Sequence, residues 1–184
     1  MNRRHPSQIR LLAQSAMLLA LGLLLPFATG QIPRIGKLLL PMHLPVLLCG
    51  LLCGPVWGGL VGLILPPLRY LLFGMPPIYP TGLAMCFELA AYAVIAGAIF
   101  QKSRGTGPAA IYGALLPAMI GGRLIWGAAT AVITGLAGQT FTLALFWAGA
   151  VANAVPGILL QLILVPALLI ALDRTGLVTL PAGR

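Results

Sequence analysis

The only acids in this chain are Glu88 and Asp173, set against 11 lysines and arginines. General acid–base chemistry therefore has one candidate pair, Glu88 with His43. No nucleotide-binding P-loop, no HExxH helix and no Ser-His-Asp set of plausible geometry occurs, so the chain offers no catalytic constellation. Cys49 and Cys53 share a helix face at i, i+4, a spacing that binds a metal only when further ligands join. None does, and with Cys86 they read as small apolar residues inside apolar runs. No metal and no cofactor is expected.

What the chain does carry is cations where cations are costly. Arg3, Arg4, Arg10, Lys102, Arg104, Arg174 and Arg184 sit at chain ends or in a short polar break, as topology anchors do. Arg34, Lys37, Arg69 and Arg123 instead lie in or near apolar segments, together with Glu88, His43 and Asn153. A polar side chain inside a bilayer usually faces a site or a partner. One alternative is a structural pair, with Glu88 neutralising Arg69 or Arg123. Even then the four cations exceed the single acid by three charges. Arginine's planar fork suits a carboxylate, so the surplus points to a small anionic ligand. Tyr79, in a proline-rich loop, is a further contact candidate. Tyr92, four residues after Glu88, shares its helix face and can hydrogen-bond it.

These residues have to be positioned by an unusual chain. Of its residues 60% are hydrophobic and 7% charged, and its mean hydropathy is +1.03. Soluble domains carry about 25% charged residues, and a short soluble chain cannot hide so much apolar surface. Soluble enzymes and disordered chains are excluded. So is a nucleic-acid-binding domain, because the basic residues are scattered with no aromatic-basic groove. A signal peptide is disfavoured for the first apolar run, which is long for one and no more apolar than the rest.

The expectation is an all-α membrane protein, a single domain over residues 1–184. Its compact bundle has six transmembrane helices, at about 11–27, 42–53, 56–73, 81–100, 108–134 and 142–172. The second run is short, as a broken or tilted helix would be. Six crossings put both termini on one side, and the positive-inside rule makes that side cytoplasmic. Counting about 1.5 Å per residue, Arg69, Arg123, Glu88, His43 and Asn153 then reach the outer half of the membrane. Arg34 and Lys37 lie above them. Together with Tyr79 they outline a cavity open to the outside under loops 29–41, 74–80 and 135–141. Pro66, Pro67 and Pro156 leave backbone carbonyls unpaired at the same depth, which is tolerated where backbone lines a cavity. In the first run, Ala16 and Ala20 stand four apart, a spacing that lets another helix approach closely.

The local sequence is more specific. Met42-His43-Leu44-Pro45 running on to Gly50, then Cys53-Gly54-Pro55, resembles the second span of the substrate-binding S components of energy-coupling factor (ECF) transporters. So do Pro66-Pro67-Leu68-Arg69, Phe73-Gly74-Met75-Pro76-Pro77 and Ala84-Met85-Cys86-Phe87-Glu88-Leu89. Gly122-Arg123-Leu124-Ile125-Trp126-Gly127 and Asn153-Ala154-Val155-Pro156-Gly157 extend the resemblance over nearly the whole chain. It implies a non-enzymatic, multi-pass subunit in the cell membrane of a prokaryote. Such a subunit captures a vitamin, here best matched by the anion pantothenate, and delivers it inward by toppling. It works with a membrane coupling protein (the T component) and two cytoplasmic ATPases, and Ala16 and Ala20 would form its docking face. Two other classes compete: an intramembrane group-transfer enzyme built on Glu88 and His43, and a structural subunit with no ligand.

Overall fold

The structure, a computed structural model, describes residues 7–28, 38–103 and 107–175. Arg34 and Lys37 lie outside the described residues, as do Arg3, Arg4, Arg104 and Arg184. The helices are α1 (Gln8–Ala28), α2 (His43–Cys53), α3 (Pro55–Phe73), α4 (Leu83–Lys102), α5 (Pro108–Leu136), α6 (Leu143–Trp147) and α7 (Val155–Arg174). A five-residue turn, Ile78–Gly82, leads into α4, and Tyr79 is extended within it. Another such turn, Ala148–Ala152, carries α6 towards α7. Glycine and proline set the boundaries. Gly54 adopts φ 95° and Pro55 opens α3 directly after it, where a missing N–H breaks no helical bond. Gly74, at φ 70°, closes α3 with its N–H on the Tyr70 carbonyl, a left-handed cap that glycine alone adopts without strain.

Among the described residues five helical stretches, not six, are long and apolar enough to cross a membrane: Gln8–Ala28, Pro55–Phe73, Ile78–Lys102, Pro108–Leu136 and Leu143–Arg174. The expectation of six transmembrane helices is therefore corrected. The exception is α2, whose 11 residues rise only about 16 Å, roughly half of a bilayer's hydrocarbon thickness. Every α2 residue except Leu44 is buried, so its apolar character serves protein contacts rather than lipid. The argument from six crossings to both termini in the cytoplasm loses its premise.

Small residues draw α2, α3 and α4 together. A Cβ on Gly58 of α3 would lie 2.6 Å from the Gly50 Cα of α2, and one on Gly62 would lie 2.5 Å from the Ala90 nitrogen of α4. Both contacts are with backbone, so neither glycine can gain a side chain unless the helices part. Close backbone approach of this kind is how helices pack where lipid provides no hydrophobic drive. Around the seam, Leu47, Leu51, Leu65, Leu89, Phe100 and Leu115 are fully buried and form the centre of the core. Outward-facing Leu, Ile and Val side chains, such as Leu71, Ile120 and Ile163, give the bundle the apolar exterior that a bilayer requires.

α1 lies against α3, where a Cβ on Gly22 would strike the Leu65 side chain. Its buried residues are Ser15, Leu18, Gly22 and Pro26. Ala16 and Ala20 are exposed and fall on the opposite side of the helix. The three cysteines are buried and unbridged, and the Cys49 thiol donates to the Ser15 hydroxyl at 3.5 Å.

Candidate functional site

The bundle brings Glu88, His43 and Arg123 to one place from three helices. Glu88 lies about one turn into α4, His43 is the first residue of α2, and Arg123 is near the middle of α5. Arg123 Nη1 is 2.8 Å from Glu88 Oε1, and His43 Nε2 is 3.3 Å from the same oxygen. Glu88 is 2% exposed, His43 1% and Arg123 9%. Tyr92, one turn further along α4, is fully buried, and its ring meets the His43 imidazole edge-on with centroids 5.2 Å apart. Gly122 makes room for that ring, because a Cβ there would lie 2.8 Å from a Tyr92 ring carbon.

The cluster is close but under-bonded. Both contacts to Glu88 are within ion-pair distance, yet neither is aligned as a hydrogen bond. Arg123 Nε and Nη2, both His43 ring nitrogens, Glu88 Oε1 and the Tyr92 hydroxyl are buried without a hydrogen-bond partner. An orphaned buried polar group costs about 1–3 kcal/mol, and proteins leave few of them. Their concentration at one point makes this cluster the candidate site. Glu88 and Arg123 carry opposite formal charges and offset each other.

A cleft of about 310 Å³ opens beside Arg123, between α5 and the 146–158 stretch. Its wall includes Met119, Phe146, Val151 and Ile158, and Arg123 is its one charged side chain. A larger hollow of about 730 Å³ lies along Leu143–Ala152. Only apolar side chains such as Leu143, Phe146 and Trp147 line it, so it carries no chemistry.

The other residues singled out in the sequence stand elsewhere. Arg69 is buried between α1 and α3. It donates to the Leu23 carbonyl and lies over the rings of Phe27 and Phe73, 5.2 and 5.3 Å from their centroids. Leu23 adjoins Gly22, whose carbonyl loses its helical donor to Pro26. Glu88 pairs with Arg123 and His43 and, among the described residues, not with Arg69. The Tyr79 hydroxyl donates to the Ile133 carbonyl of α5 at 2.9 Å. Asn153 is exposed at the break before α7. Among the described residues three more polar side chains are buried: Ser15, Thr134 and Gln161 of α7; Ser15 and Thr134 are hydrogen-bonded, whereas neither amide atom of Gln161 is. Its signal was available, since it is the only amide between 155 and 172.

Five membrane-length apolar helices around a sequestered cluster of charged side chains define a multi-pass integral membrane protein. Residues 10–169 match the family described as ECF transporter, substrate-specific component, and the chain belongs to that family. No curated protein and no solved structure matches it. Membership gives the chain the substrate-capture role of its class, whose members are non-catalytic transport subunits that work with a coupling protein and ATPases.

Proposed function

We propose that the chain captures a small anionic vitamin at Arg123, with pantothenate the first ligand to test. One observation carries this reading: Glu88 engages only Nη1 of Arg123, while Nε and Nη2 are buried and unpartnered. Those two nitrogens share one edge of the guanidinium, and such an edge takes both oxygens of a carboxylate. Glu88 and His43 hold the fork in place. Arg34 and Lys37 supply the positive surplus that draws an anion in. Arg69 serves as a strut, Tyr79 ties its turn to α5, and Asn153 stands at the margin.

In this reading the whole chain acts as one binding unit in a prokaryotic cell membrane. It docks on the T component through the exposed face of Ala16 and Ala20, and substrate is released inward as it topples. The two ATPases supply the energy. The deciding experiment uses the full chain in lipid nanodiscs, with native mass spectrometry for a co-purified small molecule and calorimetry with pantothenate. Saturable binding supports the proposal. A preparation that carries no small molecule and binds no vitamin refutes it.

A further inference from the structure

Arg123 borders the cleft between α5 and the 146–158 stretch, yet its Nε and Nη2 are buried and unpartnered. That edge of the guanidinium is open to bonding but closed to water. A ligand reaches it only if part of the bundle moves. What faces Arg123 across the cleft is the arm 143–162, which contributes Phe146, Ala150, Val151 and Ile158 to the wall.

The backbone of this arm is interrupted twice. Between α6 and α7, the turn Ala148–Ala152 and the two residues after it break the regular helix. Within α7, Pro166 has no N–H to give the Leu162 carbonyl four residues earlier, and helices bend most readily at such a gap. Beyond Pro166, Leu169 is fully buried in the core and fixes the far end. Towards α5 the arm rests on glycine. A Cβ on Gly127 would lie 2.4 Å from a ring carbon of Phe146, and one on Gly149 would lie 2.4 Å from a ring carbon of Trp126. Rings seated on bare backbone make close contact with no hydrogen bond to break. The closed position also strands polar groups. Gln161 of α7 is buried without a partner, as is the open edge of Arg123, and an orphaned group loses its penalty when water reaches it.

One bond opposes the motion. The Tyr112 hydroxyl of α5 donates to the Leu162 carbonyl at 3.0 Å, the carbonyl that Pro166 leaves free. Among the described residues it is the one side-chain hydrogen bond between the 143–174 stretch and the rest of the bundle. We infer that the arm 143–162 is a gate over Arg123. It swings about Pro166 to admit a ligand to the guanidinium edge, and Tyr112 holds it shut by supplying the bond that the proline lacks. This rests on the reading of Arg123 proposed above. Tyr112 stands about 17 Å along α5 from Arg123, so it is a positioning residue and touches no ligand.

The first test needs no ligand. Met119→Cys places a thiol in the cleft about one turn before Arg123, at a position 4% exposed. In lipid nanodiscs, its labelling by a water-soluble methanethiosulfonate reads how often the arm opens. The rate of the unsubstituted chain is subtracted to account for Cys49, Cys53 and Cys86. Adding Tyr112→Phe should raise the rate about two- to tenfold, the effect of one hydrogen bond. Adding Arg69→Met instead, which loosens α1 against α3, should leave it unchanged. An equal rate with Tyr112→Phe overturns the gate. So does the same rise with Arg69→Met, which would report general loosening. The second test follows pantothenate through the fluorescence of Trp126 and Trp147. Tyr112→Phe should speed association and dissociation alike and hold Kd within about twofold. Faster labelling with unchanged association would show that ligand enters elsewhere, and overturns the gate as well. A wild type that binds no pantothenate refutes the ligand proposed for Arg123, while the labelling rates still decide whether the arm opens.

Discussion

Arg123→Lys is the substitution that isolates the guanidinium fork. Arg123→Ala would strand Glu88, which is 2% exposed, and removing one partner of a buried pair costs about 3–5 kcal/mol of stability. Lost binding would then be hard to separate from lost folding. Lysine keeps the charge. Its single ammonium stays with Glu88, whose Oε1 lies 2.8 Å from the Nη1 it replaces, so the acid retains a partner. What disappears is the open edge formed by Nε and Nη2. A ligand carboxylate seated there loses two charge-assisted hydrogen bonds, each of about 1.5–3 kcal/mol. Water and the remaining charge recover part of this. A net loss of about 3 kcal/mol is expected, which is on the order of a hundredfold in Kd. Calorimetry on the nanodisc-embedded chain should show this for pantothenate. The corresponding alcohol, with a hydroxymethyl group in place of the carboxylate, should bind weakly to wild type and change little in the variant. Equal pantothenate affinity in wild type and Arg123→Lys would refute the fork. So would a wild type that binds the alcohol as tightly as the acid.

Three further outcomes are expected. Ala16→Trp, on the exposed face of α1, should leave pantothenate affinity unchanged and stop uptake in cells that supply the coupling protein and ATPases; continued uptake would make that face ordinary lipid-facing surface. Arg69→Met removes the bond to Leu23 and the contacts with Phe27 and Phe73, at a cost of about 2–3 kcal/mol. The melting temperature should fall while pantothenate affinity stays within about twofold, and a large loss of affinity would put Arg69 in the site. Gly58→Val forces apart α2 and α3, whose backbones leave only 2.6 Å for a Cβ. Overpacking of this kind costs at least about 1–3 kcal/mol, so the variant should melt earlier or fail to accumulate.

The charged residues were the most legible part of the site. Glu88, His43 and Arg123 stand out because each interrupts an apolar run, and polar groups in such runs must find one another or a ligand. Arg69 interrupts its run in the same way, but its partners are a backbone carbonyl and two phenyl rings on neighbouring segments. Those partners are set by tertiary packing and leave no mark in local sequence. Gln161 passed unnoticed because a neutral amide changes neither charge count nor hydropathy much. The miscount of spans has a similar cause. The run at 42–53 was recognised as short, but apolar composition does not say whether a face meets lipid or protein. In α2 nearly every face meets protein, because Gly50, Gly58 and Gly97 bring the neighbouring backbones close around it.

The sheathed position of α2 has a consequence for biogenesis. A segment of 11 residues is too short to partition from the insertion machinery into lipid as a spanning helix, and its polar start at His43 weakens that drive further. Its neighbours α1 and α3 are long enough to insert independently. α2 must therefore be drawn inward as the bundle closes, with the α4 backbone completing its surroundings. Assembly then has two stages: independent insertion of the long helices, followed by lateral association that recruits α2. Since α2 begins with His43, the site that pairs Glu88 forms in the second stage, and binding competence reports on completed assembly rather than on membrane insertion.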